Sequence, residues 1–519
     1  MGVLRTIARN ALSNAAGYLV SVVTALVLTP FVIHHLGKSV WGFWSLVVSF
    51  TGYYGILDLG IRSAVGQYVT RYWALKDMDG VNRTLNTALV LTGAVGFLLL
   101  GITFLMVPLA PGLFQISGPV ARDFQWAILI MGVSVSLSFP LAVFGSATFA
   151  RQRFDIANAI GIGEKLLWAF LTIWVLTHGK GLVGLAGVTG GLSLLSWGVR
   201  MIVAFRLLPG LTLAPAFFSR DSVKELWNFG IYNFLVNAAD RIVLNTDAFV
   251  IGLVMATPKN PDLAGKAIAF YNVGANPIFY ALAVTNSVAW TLTPYATSCD
   301  SQGERGALGR LWLAGTRIIF LLAAVLAGGM IFLGSDFLTV WVGPDFVSGK
   351  EFVSSAAVMA VLAVAALARS GMSCGKQVLF GMREVKFLAF LSMGEALANL
   401  VLSLVLIHYY GILGVAMGTL IPILVTQLWI QPLFLSRKLA IPLVRFLKDV
   451  TPGGLAALAF MGILSIPVHE WIRVENWGDF VLAGFLVTLP ALVPGILLGT
   501  TREERTRVLS RLLPGRAHR

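Results

Sequence analysis

Long apolar runs broken by short polar segments set the pattern of this chain from end to end. Runs of the ~20 mostly apolar residues that span a bilayer core as a helix fall near 11–33, 40–70, 84–109, 124–149, 156–177, 182–208, 229–255, 267–298, 307–333, 351–375, 386–407, 412–435, 450–467 and 478–499. The alternating ~10-residue segments of a membrane barrel are missing. Helices satisfy their backbone hydrogen bonds within one segment even in lipid. The pattern therefore predicts an all-α polytopic membrane protein with about 14 transmembrane helices.

Composition agrees. Of 519 residues 57% are hydrophobic and 12% charged, half the ~25% charged share of soluble domains, and mean hydropathy is +0.82. The formal net charge of +14 would suit a nucleic-acid binder, but its distribution does not. An even span count places both termini on one side of the membrane. With the termini cytoplasmic, 25 of 38 Lys and Arg lie in cytoplasmic loops and tails and seven lie opposite. This positive-inside bias accounts for the basic balance, so no nucleic-acid partner is expected.

The chain also repeats itself. "RQRFDIANAIGIGEKLLWAFLTIWVLTHGKGLVGLAGVTGG" from Arg151 parallels "MREVKFLAFLSMGEALANLVLSLVLIHYYGILGVAMGTLIP" from Met382. Arg153 matches Arg383, Glu164 matches Glu395 and Gly181 matches Gly411, at offsets of 230, 231 and 230 residues. Two pseudo-symmetric six-helix lobes are expected at 1–209 and 229–436, as in transporters built from parallel repeats. An interlobe linker with an amphipathic segment occupies 210–228, an extra helix pair 437–500, and a basic cytoplasmic tail 501–519.

Eleven charged side chains lie more than four residues from either end of a run: Asp58, Arg62, Glu164, Lys165, Arg200, Asp240, Arg241, Asp247, Arg317, Arg369 and Glu395. Each is costly in lipid and must pair, meet water or reach the interface. Arg200, Arg317 and Arg369 lie near cytoplasmic ends and are expected to snorkel. Arg241 is too deep for that, some ~18 Å into a core ~30 Å thick. Asn233, Asn237, Arg241 and Asn245 form a ladder at i+4 steps, and Asp240 and Asp247 share a face. The seventh run should line a polar cavity or join an interhelical network. The first run carries a weaker stripe of Asn10, Asn14, Tyr18 and Ser21. Asp58 and Arg62, four apart, are expected to pair. Glu164 and Glu395 are candidates for charge balance or ion coupling, or for structural pairing.

Enzyme chemistry finds no footing. "GMSCGKQ" lacks the spacing and the hydroxyl residue of a phosphate loop. The S-x-x-K at Ser373–Lys376 has no accompanying K-T-G. Cys299, Cys374 and six scattered histidines offer no metal-ligand spacing. Neither cofactor nor metal is expected, and the protein is not expected to be an enzyme.

"LGKSVWGFWSLVVSF" followed by "LDLGIRSAVGQYV", with "NAADRIVLNTDAFVIG", "GLVGLAG" and "GILGVAMG", resembles the polysaccharide flippases of the multidrug/oligosaccharidyl-lipid/polysaccharide exporter superfamily. The resemblance covers at least residues 10–435. It implies alternating-access translocation of an undecaprenyl-diphosphate-linked oligosaccharide to the periplasmic leaflet of a bacterial inner membrane. Arg62 and Arg241 would bind diphosphate or sugar, with Asn14 and Asn237 beside them. Asp58, Asp240 and Asp247 would moderate that charge, or couple transport to H+ or Na+ together with Glu164 and Glu395. Glycosyltransferases and a polymerase would be the partner proteins. The extra arginine cluster in the first spans of lipid II flippases is missing, which disfavours a peptidoglycan precursor. A cation-coupled multidrug exporter and a non-transporting scaffold of a synthesis complex remain the alternatives.

Overall fold

The computed structural model describes residues 2–58 and 60–500, and the side chains at 2–12, 15, 227–233 and 294 fall outside it. The side chains of Asn10 and Asn233 and the tail 501–519 thus lie outside the described residues. The described chain is helical and forms no sheet. It packs as two compact units, Met1–Ala269 and Phe270–Arg519. This packing border falls inside one helix, whereas the sequence repeat places its own division at 210–228. The two describe different properties of the chain, and the lobes stay a proposal.

The first unit holds α1 (Gly2–Leu36), α2 (Lys38–Tyr53), α3 (Ile61–Ala74), α4 (Met78–Leu113), α5 (Pro119–Ala142), α6 (Ser146–Ala150), α7 (Phe154–Thr177), α8 (Gly181–Leu207), α9 (Arg220–Met255) and the start of α10 (Asp262–Trp290). The second continues with α11 (Thr293–Ser301), α12 (Arg305–Phe332), α13 (Gly334–Val342), α14 (Ser355–Gly371), α15 (Ser373–Gly381), α16 (Val385–Tyr410) and α17 (Ile412–Val425). A π-helical turn (Thr426–Ile430), α18 (Gln431–Leu439), α19 (Leu443–Trp471) and α20 (Trp477–Gly499) complete it. In that second unit α12 packs on α19, with Trp312 stacked on Phe446 at 4.1 Å between centroids.

Thirteen helical segments among the described residues are long and apolar enough to cross a membrane. The chain is a multi-pass membrane protein. The expected seventh run coincides with α9, which is not among the thirteen. Its asparagines and charges dilute the apolar surface that a lipid-facing helix needs.

Two departures from the apolar pattern matter. The expected run 40–70 is not one helix: α2 ends at Tyr53, a 3-10 turn covers Tyr54–Asp58, and Gly60 takes φ +71° before α3 begins. The sequence "GYYGILDLG" supplies the cause, since a left-handed position is readily adopted by glycine. A break at membrane depth persists only where protein or water satisfies the freed backbone. The second departure is α9, which starts at Arg220 and runs unbroken to Met255. The amphipathic segment is therefore the first turns of α9, capped by the Ser219 hydroxyl accepting from Ser222 N–H.

The segment between α8 and α9 is held against α4. Buried Asn82 donates to Gly210 O (3.1 Å) and accepts from Thr212 N–H (3.0 Å). Buried Asn86 donates to Thr212 O (2.8 Å) and accepts from Ala214 N–H (3.0 Å). Each amide thus supplies donor and acceptor to a chain that has no helical partner of its own. Replacing either by alanine leaves backbone groups unsatisfied, at about 1–3 kcal/mol. We expect Asn82→Ala and Asn86→Ala each to lower the thermal unfolding midpoint in detergent, with an unchanged midpoint counting against the clamp.

Candidate functional site

Asp58, Arg62 and Arg241 gather where α9 meets the broken end of α2. Gly52 and Gly55 make that approach possible. A Cβ on Gly52 would stand 2.3 Å from Asn245 Oδ1, and one on Gly55 would stand 3.2 Å from Arg241 Nε. Two rungs of the α9 ladder therefore lie directly on the glycine face of the preceding break. Tyr53 fixes the register, its hydroxyl sharing a 3.0 Å hydrogen bond with Thr246. Tyr54 anchors the turn from its other side, 2.7 Å from Thr103 Oγ1 on α4.

Asp58 and Arg62 pair as expected, with Oδ1 and Nε 2.9 Å apart. The pair does not ride one continuous helix. It clasps the interruption, from the last residue of the 3-10 turn to the first turn of α3. Neither atom has a partner in hydrogen-bond alignment, so this is a charge contact with a poorly directed N–H. The Arg62 guanidinium also lies 4.9 Å from the centre of the Phe139 ring on α5, within cation–π range. Arg241 is exposed, and its guanidinium makes no hydrogen bond or ion pair among the described residues. Both guanidiniums act electrostatically on Asp58. One carboxylate is thus shared by two cations, one touching it and one not.

Asn237 is exposed one α9 turn before Arg241. Asn245 is tied to the ladder, donating to Arg241 O at 2.8 Å. Asp240 and Asp247 are half-buried and engaged with neighbours, and Asp247 acts on Tyr53. The fold therefore collects Asp58, Arg62, Arg241 and the α9 polar face in one place. Chemically, the seam holds two planar guanidinium forks of the kind suited to phosphate, amides suited to hydroxyls, and three carboxylates, Asp58, Asp240 and Asp247, that offset the positive charge.

Three candidates lie elsewhere. Asn14 accepts from Asn158 Nδ2 on α7 at 2.5 Å, a polar contact of the kind that joins membrane helices. Glu164 lines a cavity of about 310 Å³ among α2, α5, α7 and α8. Glu395, 5% exposed, lies in the second unit and is saturated by donors. Arg369 pairs with one of its oxygens, and the Thr426 hydroxyl and Gln427 Nε2 (3.1 Å) donate to the other. Both donors of that second oxygen come from the π-helical turn, a local insertion that re-aims side chains.

The three arginines expected to snorkel each have an acceptor on a neighbouring helix. Arg369 meets Glu395, Arg317 Nε donates to Asp449 O at 3.0 Å, and Arg200 donates to Ala157 O while lying over Trp197. Phe139, Gly52 and Gly55 went unnoticed in the sequence. A ring and two glycines in an apolar run carry no polar signal, although the Gly-x-x-Gly spacing was there to read.

The second-unit network is open to a double-mutant cycle. Arg369→Leu should destabilise by about 3–5 kcal/mol, because it strands a buried carboxylate. Arg369→Leu with Glu395→Leu should regain most of that loss. Additive losses in a thermal or denaturant assay would show that the two side chains do not act as a pair.

The fold is shared with known membrane proteins. No family model matches the chain. Among curated proteins it is similar to an uncharacterized membrane protein, EpsK, of Bacillus subtilis (23% identity, 96% of each chain). It is also similar to a putative O-antigen transporter of Shigella flexneri (20%, 83% of this chain and 98% of that one) and a probable flippase, AglR, of Haloferax volcanii (24%, 94% and 95%). Among solved structures it shares its fold with the lipid II flippase MurJ in an inward closed conformation (TM-score 0.67, 13% identity, 97% and 99%). A MOP superfamily transporter from Pyrococcus furiosus gives a TM-score of 0.60 (16% identity, 84% and 95%). By fold the chain is similar to solved transporters of the MOP superfamily, and its resemblance to polysaccharide flippases agrees with the names of these relatives.

Proposed function

We propose that this protein is a flippase that carries a polyprenyl-diphosphate-linked oligosaccharide from the cytoplasmic to the periplasmic leaflet of a bacterial inner membrane. The observation that carries the reading is the shared carboxylate. Asp58 contacts Arg62 and acts within the field of Arg241, whose guanidinium has no partner of its own among the described residues. A diphosphate brings negative charge and acceptor oxygens to guanidiniums that Asp58 alone does not satisfy. In this reading Asp58 keeps Arg62 tolerable within the membrane until the headgroup competes for it. Asn237 meets the first sugar hydroxyls. Relatives that bear flippase and O-antigen transporter names support the same class.

Transport proceeds by alternating access of the two repeats, with both termini in the cytoplasm. Asp240 and Asp247 balance the seam's charge and are the candidates for coupling to H+ or Na+. Glu395 is a weaker candidate, since three donors already hold it. Asn14, bound to Asn158, shapes the bundle rather than the headgroup site. The scaffold alternative predicts that mutations in the seam act through stability alone.

Reconstitution in liposomes with a fluorescently tagged polyprenyl-diphosphate oligosaccharide tests the reading. Label should cross the bilayer with the native chain. Arg62→Ala and Arg241→Ala, at equal expression and thermal stability, should each slow it about ten- to a hundredfold, the equivalent of one or two charge-assisted hydrogen bonds. Full flipping in both variants would remove the arginines from the mechanism. Lack of flipping by the native chain, with efflux of an organic cation instead, would favour the drug exporter.

A further inference from the structure

The cavity in the first unit, partly open to the outside, has a chemistry of its own. Its volume of about 310 Å³ is at the lower end for small-molecule sites and has room for about ten waters. Two indoles line it, Trp44 from α2 and Trp168 from α7, together with Glu164, Lys165, Ser134 and Ser193. Trp168 is held in orientation, its Nε1–H donating to Thr189 Oγ1 at 3.0 Å while Thr189 donates to Leu185 O at 2.8 Å. The Lys165 ammonium lies 5.7 Å from the Trp168 ring centre. The Glu164 carboxylate has no ion pair or hydrogen bond among the described residues.

The comparison with its repeat partner is informative. Glu395 is committed to Arg369, Thr426 and Gln427. Glu164, at the equivalent place in the other repeat, faces a cavity. A carboxylate kept only for packing would be expected to find a partner in both.

The lining discriminates among ligands. An acyl chain gains nothing from Glu164, Lys165 and two serines, and would strip them of water. An organic cation would meet Glu164 with Lys165 beside it and the Arg200 charge acting on it, a field of net positive sign. A free anion would meet an unpaired carboxylate. A neutral pyranose suits all of it, since its C–H face lies on an indole while its hydroxyls donate to Glu164 and accept from Lys165. We propose that this cavity is a saccharide subsite, taking an uncharged sugar ring against Trp168 and Trp44.

The flippase reading supplies the origin of that sugar and is the only premise borrowed from it. Position agrees with that origin. Val135 lines the cavity, and Phe139, under Arg62, follows four residues later on α5, about 6 Å along the helix axis. A ring in the cavity is thus near a diphosphate at Arg62.

Lys165→Cys in the full-length chain, with Cys299 and Cys374 replaced by serine or alanine, gives a thiol on the cavity wall. Its alkylation by a small hydrophilic maleimide is followed in nanodiscs. The probes are free glucose, galactose, rhamnose, N-acetylglucosamine and their common disaccharides, with undecaprenyl phosphate as the sugarless control. At least one saccharide should slow labelling in a saturable way, about tenfold at ten times its Kd, and Trp168→Leu in the same background should abolish the protection. The sugarless lipid should leave the rate unchanged. A thiol that never reacts means a dry cavity and overturns the proposal. So does protection by undecaprenyl phosphate alone, by no saccharide, or undiminished by Trp168→Leu. A chain that flips tagged lipid but shows no saccharide protection loses only the subsite. Protection without flipping keeps the subsite and sinks the translocase reading.

Discussion

A charge placed inside the hydrocarbon layer cannot be left alone, and that constraint organises this molecule more than any apolar contact does. The cost of isolation is several kcal/mol even on the gentlest scales, so every buried ionic group must find a partner, water or a ligand. The chain uses different solutions in different places. Glu395 is enclosed by an arginine, a hydroxyl and an amide. Arg317 and Arg200 take backbone oxygens from adjacent helices. Arg62 receives an ill-aligned contact and an aromatic face, while Arg241 receives none of these from the described residues.

That gradient, from saturated to unsatisfied, separates structure from function. A network in which each donor meets an acceptor rigidifies the helices that carry it. A cation held near a carboxylate it does not fully engage remains available to a competing anion. The break between α2 and α3 belongs to the same logic. Gly52, Gly55 and Gly60 remove side chains where the α9 ladder approaches and let the backbone turn, so that Asp58 and Arg62 face each other across an interruption. Had the helix continued, the same i+4 spacing would have given an ordinary pair along one face.

The two repeats show how one sequence pattern can be put to separate ends. Glu164 and Glu395 occupy matching places, yet one lines a cavity beside two indoles and the other is sealed by Arg369. The difference arises from neighbours on other helices.

The apolar runs were enough to define an all-α membrane protein and the approximate place of most of its helices, because hydrophobic length is a local, one-dimensional quantity. The placing of Asn237, Arg241 and Asn245 on one face of α9 was legible for the same reason. Distances between helices are not local. Whether Arg369 would reach the interface or Glu395, whether Asn14 would join a cavity or bind Asn158, and which glycines would admit another helix depended on who lies alongside. The sequence determined where charge had to be dealt with, through the cost of burying it. Only the tertiary structure decided which charges were neutralised by neighbours and which were left to meet something else.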